Sequence, residues 1–275
     1  MGMTSAAEFR QAARVAKHND GLEALARLGF IGFGLTHLVL AWIAVQLAFG
    51  RAPADGDQLG AFQLLRHAPL GVLLLALVAI GLAATAVWQA LEAAVGHTDV
   101  RGATRVGERL ASVGRTLAYG FFAVSALKLL FRPTTGGAGE KQAAAGSLLD
   151  APGGPWLVGL IGIGVVVTGG GLVWYGATRH FERHLKTGQM TEPTRHTVGL
   201  LGVIGYVAKG VAYAIAGVLV VTAAVHYDPS AARGLDASLR ALTQSTWGVW
   251  LLFAMAAGIA AYGLFAIAQA RYRRV

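Results

Sequence analysis

Long apolar stretches alternate with short polar ones along the whole chain. No Asp, Glu, Lys or Arg occurs between Arg27 and Arg51, Arg66 and Glu92, Asp150 and Arg179, or Arg240 and Arg271. Each gap exceeds the roughly 20 residues that a helix needs to cross the hydrocarbon of a bilayer. Two further stretches, 110–131 and 198–225, are interrupted only by Arg115, Lys128 and Lys209. The pattern predicts an all-α polytopic membrane protein with six transmembrane helices. The first run is longer than the core of a cleaved signal peptide, and it supplies half of a repeat.

The six helices read as three copies of one helical hairpin. In the first helix of each copy, Phe33-Gly34-Leu35-Thr36-His37, Arg115-Thr116-Leu117-Ala118-Tyr119 and Lys209-Gly210-Val211-Ala212-Tyr213 align. In the second, Pro69, Pro155 and Thr246 mark the start, and Trp88, Trp174 and Phe265 follow nineteen residues later. Gly71 and Gly81 match Gly248 and Gly258, whereas the middle copy has neither glycine. Proline at a helix start forgoes no needed hydrogen bond, and aromatic residues near both ends suit the membrane interfaces. The chain therefore divides into a basic segment, 1–21, and three repeats, 22–97, 104–182 and 195–272. In the basic segment Phe9, Ala12, Ala13 and Ala16 recur at helical spacing beside Arg10, Arg14 and Lys17. That pattern fits a helix lying on a bilayer surface, and it fits a frayed basic tail equally.

Composition agrees with the spans. Of 275 residues 55% are hydrophobic and only 13% charged, against about 25% charged in ordinary soluble domains. The lack of cysteine excludes disulfides, thiolate metal sites and cysteine nucleophiles. The net charge of +9 would point to nucleic acid in a soluble chain. Here no basic patch is interleaved with aromatic residues, and the basic residues flank apolar runs, so orientation and anionic lipid explain them.

Their distribution sets the orientation. Fourteen Lys and Arg lie on the side of Arg10, Arg101, Arg105, Arg109, Arg179, Arg183, Arg195 and Arg271, and six on the side of Arg51, Arg66, Arg132, Lys141, Arg233 and Arg240. The positive-inside rule places both termini in the cytoplasm. All three hairpins then cross in one sense.

Two motifs carry a family resemblance: Lys209-Gly210 with Tyr213 in the first helix, and Ala261-Tyr262-Gly263 in the second. With the threefold repeat, they make the chain resemble the bacterial membrane family called domain of unknown function 1206. The resemblance covers about 22–272 and is clearest in the third copy. The first copy departs from it, with Phe33 and His37 in place of the cation and the tyrosine. The resemblance implies a multi-pass protein of the bacterial plasma membrane and implies no activity.

Arg115 and Lys209 are the sharpest candidates for chemistry. A cation at mid-helix depth costs about 2.5–3.5 kcal/mol on insertion scales, and snorkelling recovers part of that. No Asp or Glu lies within the six apolar stretches to pair with either. Parallel repeats would bring Phe33, Arg115 and Lys209 to one depth around a pseudo-threefold axis. Tyr119 and Tyr213, with His37 at the matching place, lie one turn further on. Two such cations fit an anion near them, most simply a lipid phosphate. The plain alternative is snorkelling cations and packed tyrosines.

Other residues read more simply. Lys128 snorkels at a helix end. Ser125 has no supporting motif for catalysis. His37 and His67 are the candidates for a haem pair, though an interhelical hydrogen bond is the simpler role for His37. His180 and His184 have zinc spacing, but Arg179, Arg183 and Lys186 oppose a divalent ion. Gly169-Gly170-Gly171 serves close packing or local unwinding. The stretch from Arg132 to Pro155, rich in Gly and Ala, reads as a mobile linker.

The sequence therefore points to a non-enzymatic membrane protein without a cofactor. It binds anionic lipid or a partner membrane protein as an accessory or scaffold, or it self-associates. A transporter or channel for a small anionic solute is the second reading, and a haem-binding or other membrane enzyme the third.

Overall fold

A computed structural model describes residues 20–51, 54–96, 102–131, 138–228, 235–243 and 246–273. The surface-helix expectation for the first residues lies outside this set. Among these residues nine α-helices follow in order: α1 (Asp20–Ala48), α2 (Gln58–His67), α3 (Gly71–Val95), α4 (Gly102–Phe131), α5 (Ala138–Leu149), α6 (Gly154–Ala177), α7 (Glu192–His226), α8 (Leu235–Thr243) and α9 (Gly248–Tyr272). Six of them, α1, α3, α4, α6, α7 and α9, are long and apolar enough to cross a membrane. Among the described residues there is no strand, only one isolated bridge between Leu185 and Arg273.

Each repeat carries a short helix between its two spans. Asp57 caps α2, its carboxylate accepting from the Gly60 N–H at 2.9 Å. This satisfies one of the donors that a helix start leaves unpaired. In α8 the fully buried Asp236 accepts from the Gly56 N–H at 2.8 Å and pairs with Arg240 at 2.8 Å. Ser238 donates to the Ala212 carbonyl at 3.2 Å, which ties α8 to α7. Thus α8 is fastened to the loop before α2 and to α7, at the end of the bundle opposite the start of α1 and the end of α9. The middle counterpart, α5, packs against α6. The mobile-linker expectation for Arg132–Pro155 is corrected here, because residues 138–149 are helical. Alanine is the best helix former and predominates in that segment; residues 132–137 lie outside the described set.

The six spans follow one another laterally in the order α6, α7, α9, α1, α3, α4. The closest packing joins different repeats: α3 with α4, α6 with α7, and α9 with α1. Within repeats, α1 packs on α3 and α7 on α9, but α4 and α6 scarcely touch. The bundle is a ring with one break, and the break falls inside the middle repeat.

Glycines account for this. Lipid chains are as apolar as leucine, so membrane helices associate through close packing of small residues. A Cβ on Gly81 would meet the Gly29 backbone, and one on Gly29 would meet Thr85. In the third repeat Gly205 lies against Tyr262, and Gly258 against Ala208. Position 171 corresponds to Thr85 and Tyr262, and Gly171 faces open space. Position 167 corresponds to Gly81 and Gly258, and it holds Val167, which is 68% exposed. The middle repeat thus lacks the crossing that closes the other two.

Candidate functional site

The ring encloses aromatic packing rather than an open bore. Phe33 from α1 meets Tyr119 from α4 at 5.4 Å and Tyr262 from α9 at 6.2 Å between ring centres, both edge to face. Tyr206 from α7 meets Tyr262 at 5.2 Å and Tyr175 from α6 at 5.0 Å. Offset and edge-to-face pairs of this kind are the favoured aromatic geometries.

Lys209 extends into this cluster. Its Nζ lies 4.1 Å from the centre of the Tyr262 ring, 5.1 Å from Phe33 and 5.8 Å from Tyr213. His37 is buried beside it. The His37 Nδ1 lies 2.8 Å from the Phe33 carbonyl, which also accepts from Thr36 at 2.7 Å. A carbonyl only accepts, so Nδ1 carries a proton and donates to it. Among the described residues, Lys209 has ring partners and no ion pair.

The structure therefore brings Lys209, Tyr213, Phe33 and His37 together, with Tyr119 joined through Phe33. Arg115 is placed differently. It is half-buried on α4, and its charge acts on the Tyr175 hydroxyl together with those of Arg273, Glu108 and Arg183. Tyr175 also shares a hydrogen bond of 3.1 Å with His184 Nδ1. Arg115 lies toward the end where α1 begins and α9 ends. There Arg273 stacks over Phe30 at 4.9 Å and Trp88 at 5.4 Å, and Lys186 N–H donates to the Tyr272 carbonyl at 2.7 Å.

The break in the ring is a cleft of about 520 Å³. Phe121 and Phe122 of α4 form one wall; Ile161, Gly164, Val165 and Thr168 of α6 form the other. Tyr213 and Ala216 of α7 line its back, and Asp57, Gln58 and Leu59 close its far end. Helical spacing extends the walls. Arg115, Tyr119 and Phe122 share one stripe of α4, and Ile161, Thr168 and Tyr175 share one stripe of α6.

Behind the cleft lies a chamber of about 20 Å³, lined by His37, Leu40, Gln58, Lys209, Ala212, Tyr213, Ile259 and Tyr262. Gln58 and Tyr213 line both spaces and form the partition between them.

The remaining candidates resolve simply. His180 and His184 do not share a helix face, because His180–His184 forms a tight 3₁₀ turn. His184 bonds Tyr175, while His180 bonds Thr178 and lies against Trp174. His37 is buried, whereas His67 is exposed at the end of α2, so the haem pairing is not assembled. No cluster of three or more metal-ligating side chains occurs among the described residues. Lys128 is exposed in the last turn of α4, and Ser125 donates to its own helix at Phe121. Helix α6 runs unbroken through Gly169-Gly170-Gly171, with Gly169 packed on the backbone of Gly210 and Ala214.

Sequence reasoning missed Gln58, Tyr262 as a partner of Lys209, and Arg273. The Ala-Tyr-Gly motif contained Tyr262, but nothing local tied it to a residue 53 positions earlier.

Six apolar spans, arranged as three repeats around an aromatic centre, define a multi-pass membrane protein. The chain belongs to the family described as Domain of Unknown Function (DUF1206), whose model matches residues 28–96, 110–179 and 204–273. It is 30% identical over 256 residues to the Uncharacterized protein YxxB of Bacillus subtilis (strain 168), covering 92% of each chain. No solved structure matches it.

Proposed function

We propose that the protein binds an anionic lipid in the cleft between α4 and α6 and acts as a non-enzymatic accessory or scaffold of the plasma membrane. The observation that carries this reading is the break in the ring: an apolar slot, open sideways, beside an axis filled with aromatic rings. An acyl chain matches the slot in chemistry, since Phe121, Phe122, Ile161 and Val165 line it. The headgroup phosphate lies at Arg115, with hydroxyls from Tyr119 and Tyr213 and the charge of Lys209 behind Tyr213. Anion binding by Arg is strong because its planar fork matches phosphate oxygens. With the basic side in the cytoplasm, Arg115 lies toward the inner leaflet, where anionic lipid attracts basic residues by about 1 kcal/mol each.

The packed axis argues against the alternative of a channel for small anions along the bundle centre. The peripheral position of α4 and α6 supports an accessory role. Only 17% of the most apolar window of each is buried, against 50% to 61% in α1, α3 and α9. Native mass spectrometry of the protein extracted with its lipids tests the proposal. Anionic phospholipid should be retained over zwitterionic lipid, and Arg115→Gln should reduce retention several-fold. Equal retention of both lipid classes would refute the reading.

A further inference from the structure

Lys209 presents a charge problem that the lipid cleft does not solve. It lies mid-helix in α7, and no Asp or Glu lies within any of the six apolar stretches. Its neighbours are three aromatic faces, which attract the ammonium but carry no charge. Lys209 is half-buried, and an ammonium set among aromatic rings in an apolar span is favoured by a negative charge close by. A recess that touches it is the chamber behind Tyr213 and Gln58.

That chamber is chemically suited to a counter-ion. At about 20 Å³ it exceeds the minimum space for a water molecule, roughly 10–15 Å³. It is far too small for a phosphate headgroup or an acyl chain. Its polar lining is rich in donors: the Lys209 ammonium, the Gln58 amide and the hydroxyls of Tyr213 and Tyr262. Its other walls, Leu40, Ala212 and Ile259, are apolar and exclude competing water. Its acceptors are His37, the Gln58 side-chain oxygen and the tyrosine hydroxyl oxygens. The Tyr262 ring centre lies 4.8 Å from that of His37. A water molecule would supply hydrogen bonds but no charge.

We propose that the chamber binds one small monovalent anion of halide size, held by Lys209 with Gln58 and Tyr213. Gln58 and Tyr213 also separate it from the cleft, so an anion enters by movement of those two side chains. The chamber takes a smaller ligand than the lipid cleft and Arg115 takes no part in it, although Tyr213 and Gln58 line both spaces.

Chloride itself is the probe. The purified protein is placed in nanodiscs of zwitterionic lipid, so that failure of the lipid proposal cannot affect the result. Chloride-35 magnetic resonance lines should broaden saturably and sharpen again on adding bromide. Lys209→Met should abolish the saturable broadening, and Gln58→Leu should weaken binding about tenfold. Lys128→Gln, which removes an exposed cation elsewhere, should leave the signal at the wild-type level. Absence of saturable broadening in the wild type, or its survival in Lys209→Met, would overturn the proposal. If Lys209→Met does not fold, the decision falls to Gln58→Leu and Tyr213→Phe, and wild-type affinity in both would overturn it.

Discussion

Lys209 Nζ sits 4.1 Å from the centre of the Tyr262 ring, and the contact joins the two spans of the third repeat across their crossing. The first repeat has Thr85 at the position of Tyr262, with its hydroxyl turned onto its own helix at Gly81, 2.8 Å away. Three copies of one hairpin thus place different chemistry at one structural position. Replacing Tyr262 by alanine removes a ring packed against Phe33, His37, Tyr206 and Phe265. The expected loss is about 3–5 kcal/mol, seen as a large drop in the midpoint of thermal unfolding by circular dichroism. Tyr262→Phe keeps the ring and should shift the midpoint little.

The glycine crossings predict an asymmetry between repeats. Gly81→Leu forces a side chain into the Gly29 backbone. Overpacking of that kind costs about 1–3 kcal/mol or more. Gly171→Leu, at the position matching Thr85, projects into open space and should leave the thermal midpoint unchanged or raised. Equal damage from both substitutions would mean that the middle repeat is closed.

Filling the cleft should displace its lipid without harming the fold. Gly164 lines the cleft, and a Cβ there would meet nothing within 4 Å. Gly164→Trp should lower the retained anionic phospholipid to the level of Arg115→Gln, with an unchanged circular dichroism spectrum. Unaltered retention would place the lipid elsewhere.

The pair Asp236–Arg240 fastens α8. Hydrogen bonding to Asp236 holds the Arg240 guanidinium above its ordinary value, and burial opposes this. A raised folded value means that the contribution is complete below the unfolded value and fades only as pH rises through the folded one. The effect of Arg240→Gln on stability should therefore be the same across the neutral range and well into the alkaline range. Asp236→Ala also strips the acceptor from Gly56 N–H, and it should cost about 1–3 kcal/mol. The checks are thermal unfolding at several pH values and faster hydrogen exchange at Gly56.

Orientation is open to a direct check, because the native chain has no cysteine. A cysteine replacing Arg183 should resist an impermeant reagent in intact cells, while one replacing Tyr227 should react. The reverse pattern would place the basic side outside.

Much of the architecture was legible because a bilayer demands long uncharged runs, and charge-free gaps are easy to see. The repeats were legible through spaced residues such as Trp88 and Trp174. The short helices were not. Helices α2 and α8 have 10 and 9 residues and mixed polarity, so no apolar run announces them. Their positions depend on long-range bonds such as Gly56 to Asp236. The break in the ring did leave a trace, since the glycines matched at 81 and 258 are absent from the middle copy. That trace acquires meaning only once the crossings are known. The cationic candidates were visible as charges in apolar stretches, but the direction each side chain takes was not. Lys209 turns toward Tyr262, on the other span of its own repeat.

A band cut through at one point has mechanics that an intact band lacks. With α4 and α6 unjoined, the spread between them is restrained by the far side of the bundle and by whatever occupies the slit. An occupant there acts as a wedge. Its thickness bears on Tyr213 and Gln58, the two side chains that line both the slit and the space behind it.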